Sequence, residues 1–309
     1  MAFLSISIDI CGSTEAKAKL RKHAELIATE PTRLYEEFQR QVLRVEETFW
    51  TLLRSEGLEI ERLFLIKTIG DELWYSYDLE GLHDFEVHAA MAKVINALVG
   101  MHTKSFDLVA APDRDPNDWE NIDPSTLLRI GLPLKITVDQ ISDALEMNAL
   151  REKYLKSHVA SLLSPPERPG ERLVQEGDPD FNDLCNRLGI AHRVVTSNKV
   201  HTTIRSDFIG WEVDRFFRLT KEAMENAVLV GPEILEAFDT HKLIALDGPK
   251  TIFPDGSWEI SEGFFYVCIS AQSRTSTGKV MIARKNVSAD KLKGIGEDCP
   301  VALVYSKYL

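Results

Sequence analysis

The chain has 309 residues, 44% of them hydrophobic and 27% charged, with a formal net charge of −12. That length and apolar content support a sizeable core in one large domain or two small ones. The negative charge argues against DNA or RNA as a partner, because a binder of phosphate backbones normally carries the opposite sign. No long uninterrupted apolar run occurs, so no membrane-spanning helix is expected. The N-terminus enters a strand-like run with no basic stretch before it, which predicts no secretion signal. The cysteines Cys11, Cys185, Cys268 and Cys299 form no C-x-x-C pair, and reduced thiols in a cytoplasm are expected.

The first element reads Phe3-Leu-Ser-Ile-Ser-Ile-Asp9-Ile10-Cys11-Gly12-Ser13-Thr14. An apolar run ending in Asp beside a small-residue turn predicts a buried strand that delivers a carboxylate to its end. Ser13 or Thr14 then caps a helix with Glu15 in its first turn, running to about Thr29. A second helix begins at Pro31-Thr32, with Leu34, Phe38, Val42, Val45, Phe49 and Leu52 spaced as an apolar stripe. Leu63 to Tyr77 predicts a hairpin turning at Gly70-Asp71, so Asp71 is a second acid at strand ends. Two such carboxylates, if they converge, can hold two divalent ions over a triphosphate.

Ala89 to Met101 predicts a helix, Ala110 to Pro124 a loop, and Leu127 to Val138 a strand. The block 139–200 then looks like an insertion, with a helical piece from Ile141 to Leu163, a Pro-rich break at 164–170 and a second helix from Pro179 to Leu188. Phe208 to Leu219 predicts a helix, Ala227 to Val230 a strand, and Pro232 to Phe238 a helix with Pro in its first turn. Late strands are expected at Leu243–Ala245, Trp258–Ile260 and Gly263–Ile269, with a turn at Pro254-Asp255-Gly256. The alternation predicts an α+β fold with a mixed, mainly antiparallel sheet and helices packed on it. The expected organisation is a single domain over 1–309, with 139–200 inserted and 270–309 as a C-terminal extension.

The third constellation is Arg205-Ser206-Asp207-Phe208-Ile209-Gly210-Trp211-Glu212-Val213-Asp214-Arg215-Phe216-Phe217-Arg218. With Asp9-Ile10-x-Gly-Ser-Thr and Lys67-Thr-Ile-Gly-Asp71, it resembles the class III nucleotidyl cyclase family. That family has a small-residue turn after its first metal aspartate, K/E-x-x-G-D at the second, and D-x-x-G-x-x-V-N-x-x-x-R in the third motif. The likeness covers about 1–138 and 205–270.

The resemblance implies roles position by position. Asp9 and Asp71 match the metal-binding aspartates, and the backbone carbonyl of Ile10 the further protein ligand for two divalent cations, Mn²⁺ or Mg²⁺. Lys67 and Asp207 match the base-reading positions, and Arg218 the arginine that stabilises charge on the phosphate under attack. Asp214 stands where the family usually has Asn on the ribose, which is a departure. The late triphosphate lysine has no clear counterpart, with Lys250 the best match. Backbone N–H groups from Gly12, Ser13 and Thr14 to Glu15, at a helix N-terminus, suit phosphate oxygens. In this family the metal motif of one subunit faces the base and arginine motif of another, so a homodimer with composite sites is implied.

Lys67 donates and an ionised Asp207 accepts, a pattern that ATP, CTP and UTP all satisfy. The family's guanylate members carry Glu at the Lys67 position, which disfavours guanine. If Trp211, Phe216 or Phe217 points at the base, the pocket shrinks toward a pyrimidine; otherwise they pack helix against sheet. The short layout with an insertion resembles the pyrimidine cyclases of bacterial anti-phage (Pycsar-type) systems. That likeness favours UTP over CTP and ATP, and cyclic UMP as a defence messenger. Two classes stay open: an active cyclase, and a cyclase-like module that binds nucleotide without catalysis. Read singly, Asp9 is a turn or cap residue, and Arg218 a partner for Glu222 one helical turn on.

Overall fold

The computed structural model describes residues 2–14, 17–18, 21, 31–69, 71–107, 133–146, 194–196, 201–204, 208–225, 227–252, 259–270, 273–276 and 280–306. Its elements begin with β1 (Phe3–Ile10), α1 (Pro31–Ser55), β2 (Leu63–Ile69), β3 (Glu72–Asp78), α2 (Asp84–Asp107) and β4 (Leu134–Ile141). There follow β5 (Leu145–Glu146), β6 (Val194–Thr196), β7 (His201–Ile204), β8 (Phe208–Ile209), α3 (Trp211–Leu219), β9 (Val228–Val230) and α4 (Pro232–Thr240). The chain closes with β10 (Ile244–Ile252), β11 (Glu259–Ser270), β12 (Ser273–Ser276), β13 (Val280–Val287) and β14 (Cys299–Ser306).

The main sheet runs β10-β11-β13-β14-β9-β4-β1-β3-β2-β7-β6. Its pairs are antiparallel except β4 with β9 and β2 with β7. The expected α+β architecture with a mixed, mainly antiparallel sheet is therefore present. Alternation along the strands divides the two faces. Leu4, Ile6, Ile8 and Ile10 of β1, Leu73, Tyr75 and Tyr77 of β3, and Leu134, Ile136 and Val138 of β4 belong to one core. Helices α1, α2 and α4 cover that face through Phe49, Trp50, Leu53, Val94, Leu98, Ile234 and Phe238. The opposite residues, Phe3, Trp74 and Ile141, meet Phe208 and the Val213 and Phe216 side chains of α3. A third cluster joins Leu219, Leu229, Ala283, Val301 and Leu303.

Several boundaries differ from the sequence expectation. Strand β4 continues to Ile141, and 145–146 is again strand, so 139–141 belongs to the sheet core and not to an insertion or to a helix starting at Ile141. The cause is visible in burial: Asp139 and Ile141 are fully enclosed, and the polar Asp139 concealed the strand's apolar alternation. Phe208 and Ile209 pair with Glu146 and Leu145 before the helix starts at Trp211. The stretch 270–309 is no appendage: β14 lies between β13 and β9 in the body of the sheet, with Val301, Leu303 and Val304 unexposed. The expected helix to Thr29 is described only at 13–14, 17–18 and 21, where it is helical. The Ala110–Pro124 loop, the helix at 179–188, the Pro-rich break and the turn at 254–256 lie outside the described residues. No helix among the described residues is long and apolar enough to cross a membrane.

Candidate active site

Successive side chains of a strand point to opposite faces of its sheet. In β1 this turns Phe3, Ser5, Ser7 and Asp9 to the face that carries α3, while Leu4, Ile6, Ile8 and Ile10 enter the helix-covered core. The neighbouring strands place Glu72 and Lys135 directly opposite Asp9, one on each side. Asp71 stands in the turn between β2 and β3, next to Glu72. The Asp71 charge acts on Asp9, and both act on Glu72. The gathered negative charge is visible in the proton affinities of Asp9 and Glu72. Burial first, and then the Asp71 charge, raises the carboxyl of Asp9 above its usual range, with Lys135 opposing. Glu72 is raised by burial and by Asp9 and Asp71, against a hydrogen bond from Ser7 Oγ at 2.6 Å and the charge of Lys67. Lys17 Nζ reaches Asp71 at 4.0 Å.

In the turn after β1, Gly12 adopts φ +71, a left-handed conformation that favours glycine, and is exposed, as is Thr14, while Ser13 is buried. Burial pushes the Cys11 thiol up to about 11, so without a metal it is protonated at neutral pH. The carboxylate oxygens of Asp9, Asp71 and Glu72 are of the donor type that suits a hard cation such as Mg²⁺ or Mn²⁺. Among the described residues no group of three or more His, Cys, Asp or Glu side chains is placed to hold a metal ion.

Lys67 lies on β2, paired with Trp74 of β3. Its ammonium sits 5.0 Å from the centroid of the Trp74 ring and 5.6 Å from that of Phe217. Phe216 is fully buried and packs α3 on the sheet, whereas Trp211 is 44% exposed. Asp214 is exposed one turn before Arg218 on α3. Arg218 Nε is buried with no hydrogen-bond partner among the described residues, and a side chain at Gly294 would approach its guanidinium at 3.7 Å. Glu222 does not take up Arg218: it binds Lys285 at 2.9 Å and Lys291 at 3.6 Å. Asp207 lies outside the described residues, as does the side chain of Lys250.

Behind the site, a buried ionic group fixes α3. Asp139 Oδ1 accepts from the amides of Glu233 and Ile234 at 3.1 and 3.3 Å, capping α4 from a distant strand. The cap residue of α4, Gly231, has no side chain to do so, and any Cβ there would overlap the Asp139 carboxyl. Arg215 of α3 lies 3.6 Å from Asp139 and donates to Glu233 at 2.8 Å. Sequence reasoning missed Glu72, Lys135 and this ionic group. Cross-strand register decides the first two, and no local pattern reveals it; only Glu72, adjacent to Asp71 in the same motif, offered a signal.

No protein-family profile matches the chain, and no curated protein matches it. Among solved structures, it is similar to the guanylyl cyclase Cya2, at 9% identity over 98% of this chain and 91% of that one, with a TM-score of 0.39. It is similar to the adenylyl cyclase CyaB from P. aeruginosa, at 9% identity over 99% and 94% of the two chains, with a TM-score of 0.44. A guanylate cyclase domain from Catenaria anguillulae, in complex with GTP, gives 7% identity over 99% and 96%, with a TM-score of 0.43. These likenesses are loose, and the functional reading rests on the residues themselves.

Proposed function

We propose that the chain is a nucleotidyl cyclase that converts a nucleoside triphosphate, UTP ahead of CTP and ATP, to the 3′,5′-cyclic monophosphate and pyrophosphate. Its role is to make a messenger for bacterial anti-phage defence, as a cytoplasmic homodimer with composite sites. The observation that supports the reading is the negative charge gathered at Asp9, whose carboxyl is raised by burial first and then by the Asp71 charge. Such a pair is stabilised by cations. Bound Mn²⁺ or Mg²⁺ would neutralise the triphosphate and lower the pKa of a coordinated hydroxyl.

The chain's own groups do the rest. Asp9, Asp71 and the Ile10 carbonyl hold the ions, and the amides following β1 meet phosphate oxygens. Lys135, opposite Asp9, adds positive charge beside the phosphates. Lys67 of the partner subunit donates to the base and Asp207 of the partner subunit accepts from it. Asp214 of the partner subunit accepts from a ribose hydroxyl. The ribose 3′-oxygen bonds to the α-phosphorus as the bond to pyrophosphate breaks, and the hydroxyl proton leaves to solvent. Arg218 of the partner subunit meets the charge that grows on the α-phosphate; removal of such a donor typically costs roughly 10²–10³-fold in rate.

The test is incubation of the pure protein with UTP, CTP, ATP or GTP and Mn²⁺, followed by product identification by mass. Cyclic UMP should dominate. A second reading, a nucleotide-binding module without catalysis, is favoured by the exposed Asp214 where Asn is usual; saturable binding with no cyclic product would select it. Subunits carrying Asp71→Ala and Arg218→Ala should recover activity when mixed, and no recovery in mixtures that exchange subunits would refute the shared site.

A further inference from the structure

We propose that Phe217, braced from behind by the buried Trp74, forms the wall of the base pocket, holding the Lys67 ammonium in place and limiting the base to a single ring. This rests on the cyclase reading and names the residues that would set its substrate class. Three aromatic residues of the third motif were candidates for shaping the pocket. The geometry separates them: Phe216 is fully enclosed in the core, Trp211 is 44% exposed, and Phe217 reaches Lys67. Phe217 packs edge-on against Trp74, with ring centroids 4.5 Å apart and planes at 78°. Trp74 is itself immovable, with no exposed surface and its indole N–H donating to Ser5 Oγ at 2.7 Å.

The consequence is steric and electrostatic together. The ammonium lies near two rings that attract it. A base that accepts from Lys67 has Phe217 as its neighbour. A phenyl ring is close in size to the second ring of a purine. Phe217 therefore occupies room that a purine would require and a pyrimidine would not. Phe217 and Trp74 are positioning residues, since they act through Lys67 and through shape.

The experiment compares kcat/KM for UTP and ATP in the wild type, Phe217→Ala, Phe217→Val and Phe217→Tyr. Equilibrium binding of non-hydrolysable UTP and ATP analogues is measured alongside. Shape discrimination in such pockets is worth about 10–200-fold, so the preference for UTP should fall at least about tenfold in Phe217→Ala and partly in Phe217→Val, and persist in Phe217→Tyr. A merely structural role would lower both nucleotides together and leave their ratio unchanged; that outcome overturns the proposal. If the wild type makes no cyclic product, the cyclase reading fails, and the binding ratio alone decides the wall: an unchanged ratio refutes it, a lowered one supports it. Phe217→Val serves where the alanine variant does not fold.

Discussion

His102 gives the protein a built-in sensitivity to acid. It lies on α2 with 1% of its surface exposed, and burial pushes its pKa down to about 4 from an ordinary 6.5, against a hydrogen bond with the Ala227 backbone. Above the unfolded value of 6.5 the ring is neutral in both states and this contribution to stability is complete. As the pH falls from there toward 4, the unfolded chain takes up a proton that the folded one refuses, and stability is lost. The difference of 6.5 − 4 = 2.5 pH units corresponds to about 3 kcal/mol. Urea unfolding of the wild type and His102→Leu between about pH 7.5 and 4 isolates this share from the carboxylates, which titrate in both proteins. The wild type should lose about 3 kcal/mol more than the variant over that interval. Parallel curves would refute the assignment, as would an NMR titration that finds His102 protonating near its ordinary pKa.

Two further outcomes concern the site. Gly231→Ala should destabilise the fold by roughly 4 kcal/mol or more, because displacing Asp139 uncaps α4 at about 1 kcal/mol and breaks a buried ion pair worth roughly 3–5 kcal/mol. In an Asp139→Ala background the same change should cost far less, and an undiminished cost in denaturant melts would refute the clash. Asp9→Asn should abolish the rise in Tm caused by Mn²⁺ while leaving Tm without metal equal or higher, since burial and Asp71 both oppose the carboxylate it removes. A variant that still responds fully to Mn²⁺ would exclude Asp9 as a ligand.

The elements from β1 to α2, and the acids at two strand ends, were legible from the chain alone. Apolar alternation in 3–10 and the Gly70-Asp71 turn are local signals, and local signals determine local structure. The α3 helix and the Pro-led α4 were legible for the same reason. Tertiary structure alone decided which strands lie side by side. That choice set Lys135 and Glu72 against Asp9, put Asp139 under α4, placed β14 within the sheet, and brought Phe217 over to Lys67. Strand register and helix docking depend on contacts between residues far apart in the chain, whose energies no stretch of sequence contains by itself.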